Sequence, residues 1–243
     1  MRFDILTIFP DMFEAYIGTG VLGRGVENGL VEIGITNIRD FAFDRHRTTD
    51  DRPYGGGDGM VMKAGPIHRA LNSLESTEGG REVVLLSPRG KRFDQEAAWD
   101  LARFDHLVFI CGRYEGVDER IRLSCAEREI SIGDFILSGG ELGALVIVDA
   151  VSRLIPGVLG GERSNREDSF EEGLLEYPQY TRPKDFMGME VPDVLLSGDH
   201  ERIRKWRRRK ALEKTLQDRP DMLSKARLTG EDEVILADLK QES

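Results

Sequence analysis

The residues of this 243-residue chain with the clearest chemical purpose are glycines and their small neighbours, grouped at three junctions. Residues 131–141 read S-I-G-D-F-I-L-S-G-G-E, residues 111–116 read C-G-R-Y-E-G, and residues 87–90 read S-P-R-G. The last two follow the apolar runs 107–110 and 83–86, and the first contains the apolar triplet 135–137 ahead of Ser138, Gly139 and Gly140. Buried strands that end in side-chain-poor loops leave backbone N–H and C=O groups open to a ligand. A parallel α/β sheet binds nucleotide-like molecules in that way, beyond the carboxyl ends of its strands. Three strand ends converging on one such ligand are therefore expected.

Other familiar chemistries find little support. Cys111 and Cys125 are the two cysteines and form no C-x-x-C pair, which implies a reducing, cytoplasmic setting with both thiols packed. His46, His68, His106 and His200 lack metal-ligand spacing, which sets structural zinc aside. Residues 18–23 match G-x-G-x-x-G, but that fingerprint needs its first glycine directly after strand one, and residues 10–17 intervene. A nicotinamide-dependent oxidoreductase is disfavoured on that ground. The net charge of −10 argues against indiscriminate coating of nucleic acid. Locally the balance reverses: residues 202–210 read R-I-R-K-W-R-R-R-K, seven basic residues with no acid. Such a run is either a solvated helix face or a surface for an anionic partner, and Trp206 adds stacking to phosphate pairing.

Placing these groups requires strands alternating with helices. Residues 3–9 read as a buried strand stopped by Pro10, then come a helical stretch over 12–16 and a glycine-rich segment. Residues 31–36 alternate as a second strand. The polar stretch 41–62 is long enough to be functional or mobile. Helices are predicted over 64–74, 94–104, 118–127 and 142–155, with strands over 82–86 and 107–110. That order gives an α/β fold with a largely parallel sheet. Pro156 and Gly157 end the last helix, and a polar, acidic connector follows. Beyond about residue 177 no strand pattern survives, and helical composition returns over 200–216 and 218–225. The predicted division is a domain over 1–160, a flexible linker over 161–176 and a small all-helical domain over 177–243. A composition 40% hydrophobic and 32% charged is that of an ordinary globular protein. No apolar run approaches the roughly 18 residues of a membrane span, and the amino terminus lacks a secretory signature.

Six collinear segments carry a resemblance. They are F-D-I-L-T-I-F-P-D-M-F from Phe3, R-P-Y-G-G-G-D-G-M-V-M-K from Arg52, and L-S-P-R-G from Leu86. The others are C-G-R-Y-E-G-V-D-E-R from Cys111, S-I-G-D-F-I-L-S-G-G-E from Ser131 and L-L-E-Y-P-Q-Y-T-R-P from Leu174. Together they resemble the bacterial tRNA (guanine-N1)-methyltransferases of the SPOUT class, through roughly residue 220. Asp58, Leu85 and Phe135 depart from the family's usual proline, aromatic and tyrosine. The resemblance implies a SPOUT-type parallel sheet whose glycine-bearing loops form a deep trefoil knot, a rare exception to unknotted chain paths. It implies S-adenosylmethionine bound there by Leu86, Ser87, Pro88, Gly112, Glu115, Ser131, Ile132, Gly133, Asp134, Phe135, Ile136, Leu137, Gly139 and Gly140. An antiparallel homodimer with its site at the subunit interface is implied too, each site borrowing Asp168 from the partner. A magnesium requirement is implied as well, with Glu115 a candidate for placing cofactor or metal, against a solvated loop acid or an ordinary ion pair with Arg113. No membrane partner is expected.

The implied substrate is the guanosine at tRNA position 37, immediately 3′ to the anticodon. Methyl transfer from a sulfonium to guanine N1 needs alignment, a base for the N1 proton and a partner for charge building on O6. The resemblance assigns Asp168 as the base and Arg153 as the O6 partner, a role suited to arginine's permanently charged, fixed donors. Without it, Asp168 reads as a solvated carboxylate in an acidic connector, and Arg153 as a dipole partner ending an apolar helix. His46, Asp50 and Arg52, with Arg182, Arg207 and Arg208, are candidates for gripping the anticodon stem-loop. A catalytically silent RNA-binding protein of the same fold is the competing reading, separated by consumption of cofactor.

Overall fold

The computed structural model describes residues 1–75, 79–160 and 169–242. The chain divides into two compact units, Met1–Glu162 and Arg163–Ser243. The first contains β1 (Arg2–Thr7), α1 (Glu14–Ile17), α2 (Gly20–Glu27), β2 (Glu32–Asn37), β3 (Asp50–Asp51), β4 (Val61–Met62) and α3 (Ala64–Ser73). It continues with β5 (Arg81–Arg92), α4 (Gln95–Leu101), β6 (His106–Cys111), α5 (Glu119–Cys125), β7 (Arg128–Ser131) and α6 (Glu141–Ser152). Five strands form one sheet in the order β2-β1-β6-β5-β7, with every pairing parallel.

The near-continuous apolar character of β1, β5 and β6 follows from burial of the sheet on both faces. Phe3, Ile5, Val84, Leu86, Leu107 and Phe109 enter one cluster with α2, α4 and α6, which supply Leu22, Leu101, Ile147 and Val151 among others. Their alternates Leu6, Val83, Leu85, Val108 and Ile110 enter a second cluster with Ile67 and Leu71 of α3 and Ile121 of α5. A slip of one residue in any strand would turn each row toward the wrong layer. Full burial of each such side chain is worth ~1.5–3 kcal/mol, so the register is firmly held. The strand ends, and the loops beyond them, are positioned accordingly.

Local departures from the sequence pattern lie around those loops. The expected loop 87–90 is an irregular stretch inside β5, which pairs with β7 at Leu86 and again at Lys91 and Arg92. A Cβ at Gly90 would fall 2.4 Å from the Ile130 nitrogen, so a side chain there would block the strand's return to β7. The third strand is Arg128–Ser131 rather than the triplet 135–137. Phe135, Ile136 and Leu137 lie on the following loop with 54%, 83% and 37% exposure. Apolar composition alone does not separate a buried run from an exposed one. The glycine-rich segment 18–23 opens α2, where a Cβ on Gly23 would lie 2.6 Å from the Gly18 carbonyl carbon. Those glycines allow close chain packing at the start of a helix that the sequence pattern does not reveal.

The second unit contains a two-residue hairpin of β8 (Asp185–Phe186) and β9 (Met189–Glu190), then α7 (Asp193–Leu196), α8 (His200–Asp218) and α9 (Gly230–Glu242). The hairpin corrects the expectation of a strand-free segment, its strands being too short to leave an alternation in the sequence. Leu174, Leu212, Leu236 and Leu239 form the unit's core. Asp199 caps α8 by accepting from the Glu201 and Arg202 N–H groups. Of the expected linker, residues 161–168 lie outside the described residues. Its remainder is packed: Leu174 is 5% exposed, and the Leu175 N–H donates to Thr215 Oγ1 at 2.8 Å. Among the described residues no helix is long and apolar enough to cross a membrane.

Candidate functional site

A cleft of about 480 Å³ opens at the irregular stretch of β5 and the ends of β6 and β7. Leu86, Ser87 and Pro88 line it from β5, and Gly112 and Glu115 from the turn after β6. The loop after β7 contributes Ser131, Ile132, Gly133, Phe135, Ile136, Leu137, Gly139 and Gly140. Asp134, expected with them, is exposed and does not line the cleft. The volume falls within the ~300–1,000 Å³ typical of small-molecule sites.

The walls are built by close approach of backbones. Gly140 N–H donates to the Gly112 carbonyl at 2.9 Å, and Gly139 forms an antiparallel bridge with Arg113. A Cβ at Gly140 would lie 2.8 Å from Leu86 Cβ and 2.9 Å from Cys111 Cα, so no side chain fits where the three segments meet. Ser131 Oγ donates to the Gly133 carbonyl at 3.1 Å and accepts from the Gly133 N–H at 3.3 Å. Gly133 itself adopts φ +154°, with the Phe135 ring where a Cβ would be. The result is a cradle of backbone donors and acceptors rimmed by Ile132, Phe135 and Leu137. Those surroundings fit the adenosine part of S-adenosylmethionine, a flat apolar ring with polar edges.

Behind the cradle lies a buried polar cluster that the sequence reading did not single out. Glu141, 1% exposed at the first turn of α6, accepts from Thr7 Oγ1 at 2.8 Å and from Arg113 Nε at 2.9 Å. The Arg113 guanidinium also lies 4.4 Å from the centre of the Phe9 ring. One carboxylate thus ties the end of β1, the turn after β6 and the start of α6. The sequence signal was the acid closing S-G-G-E just before an apolar helix. Burial pushes the Cys111 thiol well up, which keeps it neutral and inert beneath the cleft.

Glu115 is held at the rim. Its N–H donates to the Met60 carbonyl at 2.9 Å, and the Met62 N–H donates to the Gly116 carbonyl at 2.9 Å. A Cβ at Gly59 would lie 2.5 Å from Glu115 Oε1, so the glycine-rich stretch folds directly over this carboxylate. The ion pair with Arg113 expected as the alternative is not the observed one, since Arg113 Nε turns to Glu141. β3 and β4 tie the polar loop carrying His46, Asp50 and Arg52 to the same rim. Asp44 accepts from the His46 N–H and from the Thr48 side chain and N–H, which lowers its pKa and shapes that loop. Among the described residues no group of three or more His, Cys, Asp or Glu is arranged to hold a metal.

The remaining candidates are dispersed. Arg153 caps α6, its N–H donating to the Asp149 carbonyl at 3.2 Å. Asp168 lies outside the described residues. In the second unit, Arg208 donates to both carboxylate oxygens of Asp232 at 2.8 Å and to Glu172 at 2.7 Å. That pairing raises the Arg208 pKa and lowers that of the buried Asp232 to about 2. Arg204 pairs with Glu201 and Lys210 with Glu213, so the basic run is more neutralised than its sequence suggests. Arg182 and Arg207 share a separate cavity with Tyr177, Tyr180 and Trp206.

A family model described as tRNA (Guanine-1)-methyltransferase TrmD matches residues 1–225. A tRNA (guanine-N(1)-)-methyltransferase of Dictyoglomus turgidum is 57% identical, covering 100% of this chain and 98% of its own. Proteins of that name from Geobacter sulfurreducens and Moorella thermoacetica are each 54% identical, over 100% and 99% of this chain and 99% and 97% of theirs. With a family match over most of its length and full-length relatives at such identity, the chain belongs to the TrmD family of tRNA (guanine-1)-methyltransferases.

Proposed function

We propose that this protein transfers a methyl group from S-adenosylmethionine to N1 of the guanosine at tRNA position 37. The observation that carries the reading is the glycine-walled cleft at the strand ends, in a chain of this family. S-adenosylmethionine supplies an electrophilic methyl group on a sulfonium. The backbone of 132–137, with Leu86, Ser87 and Pro88, holds the adenosine and excludes water from one face. The Arg153 guanidinium donates to guanine O6, where negative charge gathers, and the Asp168 carboxylate accepts the N1 proton. With the donor bound, the methyl group would pass from its sulfur to N1 while the N1 proton passes to Asp168.

The reading extends to a trefoil-knotted chain path through the three cleft segments, supported by how tightly Gly140 seats on Leu86 and Cys111. It extends also to a homodimer in which Asp168 comes from the partner. Support for the dimer is the apolar surface of α6, where Leu142 and Val146 are 50% and 47% exposed one turn apart. Position 37 is reached through base contacts from the loop with His46, Asp50 and Arg52, while phosphate contacts fix orientation. The small helical unit completes the grip on the anticodon stem-loop. A magnesium requirement belongs to the same reading, met through Glu115 and substrate oxygens rather than a protein cage.

The test is transfer of labelled methyl from S-adenosylmethionine to unmodified tRNA carrying guanosine or adenosine at position 37. Label on the guanosine transcript alone is the expected result. Cofactor binding with label on neither transcript would overturn the reading and favour a silent RNA-binding protein.

A further inference from the structure

The second unit holds a cavity of about 520 Å³ between the segment 177–184 and helices α7 and α8. Its volume is that of a small-molecule site, and the methyl-transfer chemistry makes no use of it. Tyr177, Tyr180 and Trp206 line it with Arg182, Lys184 and Arg207, and among the described residues no acidic side chain lines it. The Tyr180 and Trp206 rings meet at 6.2 Å between centroids and a 58° tilt, and Tyr180 remains 48% exposed. Leu195 and Ile203 supply apolar wall.

Arg207 gives the second, independent pointer. Its guanidinium lies 4.8 Å from the centre of the Tyr177 ring, yet its buried Nε has no hydrogen-bond acceptor among the described residues. A buried donor left without an acceptor costs about 1–3 kcal/mol, a cost that a ligand oxygen would relieve. The neighbours of Arg207 on α8, Arg204 and Arg208, are already engaged with Glu201 and Asp232. The cavity therefore joins exposed aromatic faces, cations and one unmet donor, the chemistry that holds a nucleobase out of its stack.

We propose that this cavity takes one unstacked nucleobase of the bound tRNA, a base distinct from the one methylated. The base stacks on Tyr180 beside Trp206. A carbonyl or phosphate oxygen of that nucleotide accepts from Arg207 Nε, and Arg182 and Lys184 meet its backbone. The proposal rests on the tRNA reading above and adds a base contact made by the second unit.

The chain has two tryptophans, so Trp99→Phe leaves Trp206 as the sole tryptophan of the full-length protein, excited selectively over the tyrosines. Its fluorescence is followed on titration with unmodified tRNA, then with transcripts carrying single abasic sites across the anticodon and D arms. The expected result is a saturable quench that one abasic position abolishes. Tyr180→Ala should weaken tRNA binding about tenfold, in line with loss of one base stack. Tyr180→Phe, which keeps the ring, should bind as the parent does and so guards against a folding artefact. S-adenosylmethionine affinity should be unchanged in both variants. A quench that survives every abasic substitution, or no response to tRNA, overturns the proposal. Methyl transfer measured on the same sample separates the two readings. Transfer without a Trp206 response removes the base pocket alone, and a Trp206 response without transfer removes the methyl-transfer reading alone.

Discussion

Glu141 is a buried charge with two partners, and that fixes what its loss should do. Removing one member of a buried ion pair strands the other, at about 3–5 kcal/mol. Glu141→Ala should therefore lower the unfolding free energy from urea melts by an amount in that range and weaken S-adenosylmethionine binding, because Arg113 and Gly139 lose their anchor. Glu141→Gln, which keeps the shape, should lose less of both. Asp168→Ala should abolish methyl transfer while calorimetric titration still detects the cofactor; normal turnover would discard Asp168 as the base. Asp232 makes the corresponding residue-scale statement about pH. Its folded-state pKa is depressed to about 2 by Arg208, so its contribution is present above the unfolded value near 3.9 and is lost as pH falls through about 2. The difference corresponds to about 2 kcal/mol. Urea melts at pH 6 and pH 2 should show that loss in the parent protein, and Asp232→Asn should be less stable at pH 6 and lack this share of the pH dependence.

At the scale of elements, the cleft exists because three chain segments meet with no side chain between them. A methyl group at Gly140 would sit 2.8 Å from Leu86 Cβ and 2.9 Å from Cys111 Cα, and backbone and Cβ positions cannot swing aside. Gly140→Ala should cut S-adenosylmethionine affinity at least tenfold by calorimetry and lower thermal stability. Gly160, where an added Cβ meets nothing within 4 Å, is the matched control, and Gly160→Ala should leave both unchanged. The loops that bind are placed by strands that do not, since register in β5, β6 and β7 is set by the two apolar layers. Restricting side chains at the loops leaves selectivity to backbone polarity and cleft shape.

For the whole molecule, the exposed face of α6 makes the decisive prediction. Leu142 and Val146 are apolar and half exposed on a helix whose opposite face is core. Tyr16, whose pKa is raised by burial and by Asp149 of α6, extends that side of the unit. On the proposed shared site, Val146→Asp should shift the sedimentation coefficient from that of a dimer to that of a monomer and remove methyl transfer with it, because the site would then lose a partner's carboxylate. A monomeric parent protein, or an active monomeric variant, would refute the shared site.

The sequence by itself determined the alternating strand and helix order, the glycine loops and the family, because hydrophobic periodicity and long collinear segments are local properties of the chain. Residues 83–86 and 107–110 read as strands because both faces of a parallel sheet are buried. Tertiary structure alone decided that β5 runs on past Gly90, that Phe135 and Ile136 lie on an exposed loop lining the cleft, and that Thr7, Arg113 and Glu141 meet. The same holds for Arg208, which looks like a phosphate contact in sequence and is an internal partner of Asp232 in the fold. Each of these depends on residues tens of positions apart whose proximity is set by packing. Composition counts charges and apolar groups, whereas only the folded chain decides which of them face one another and which face water.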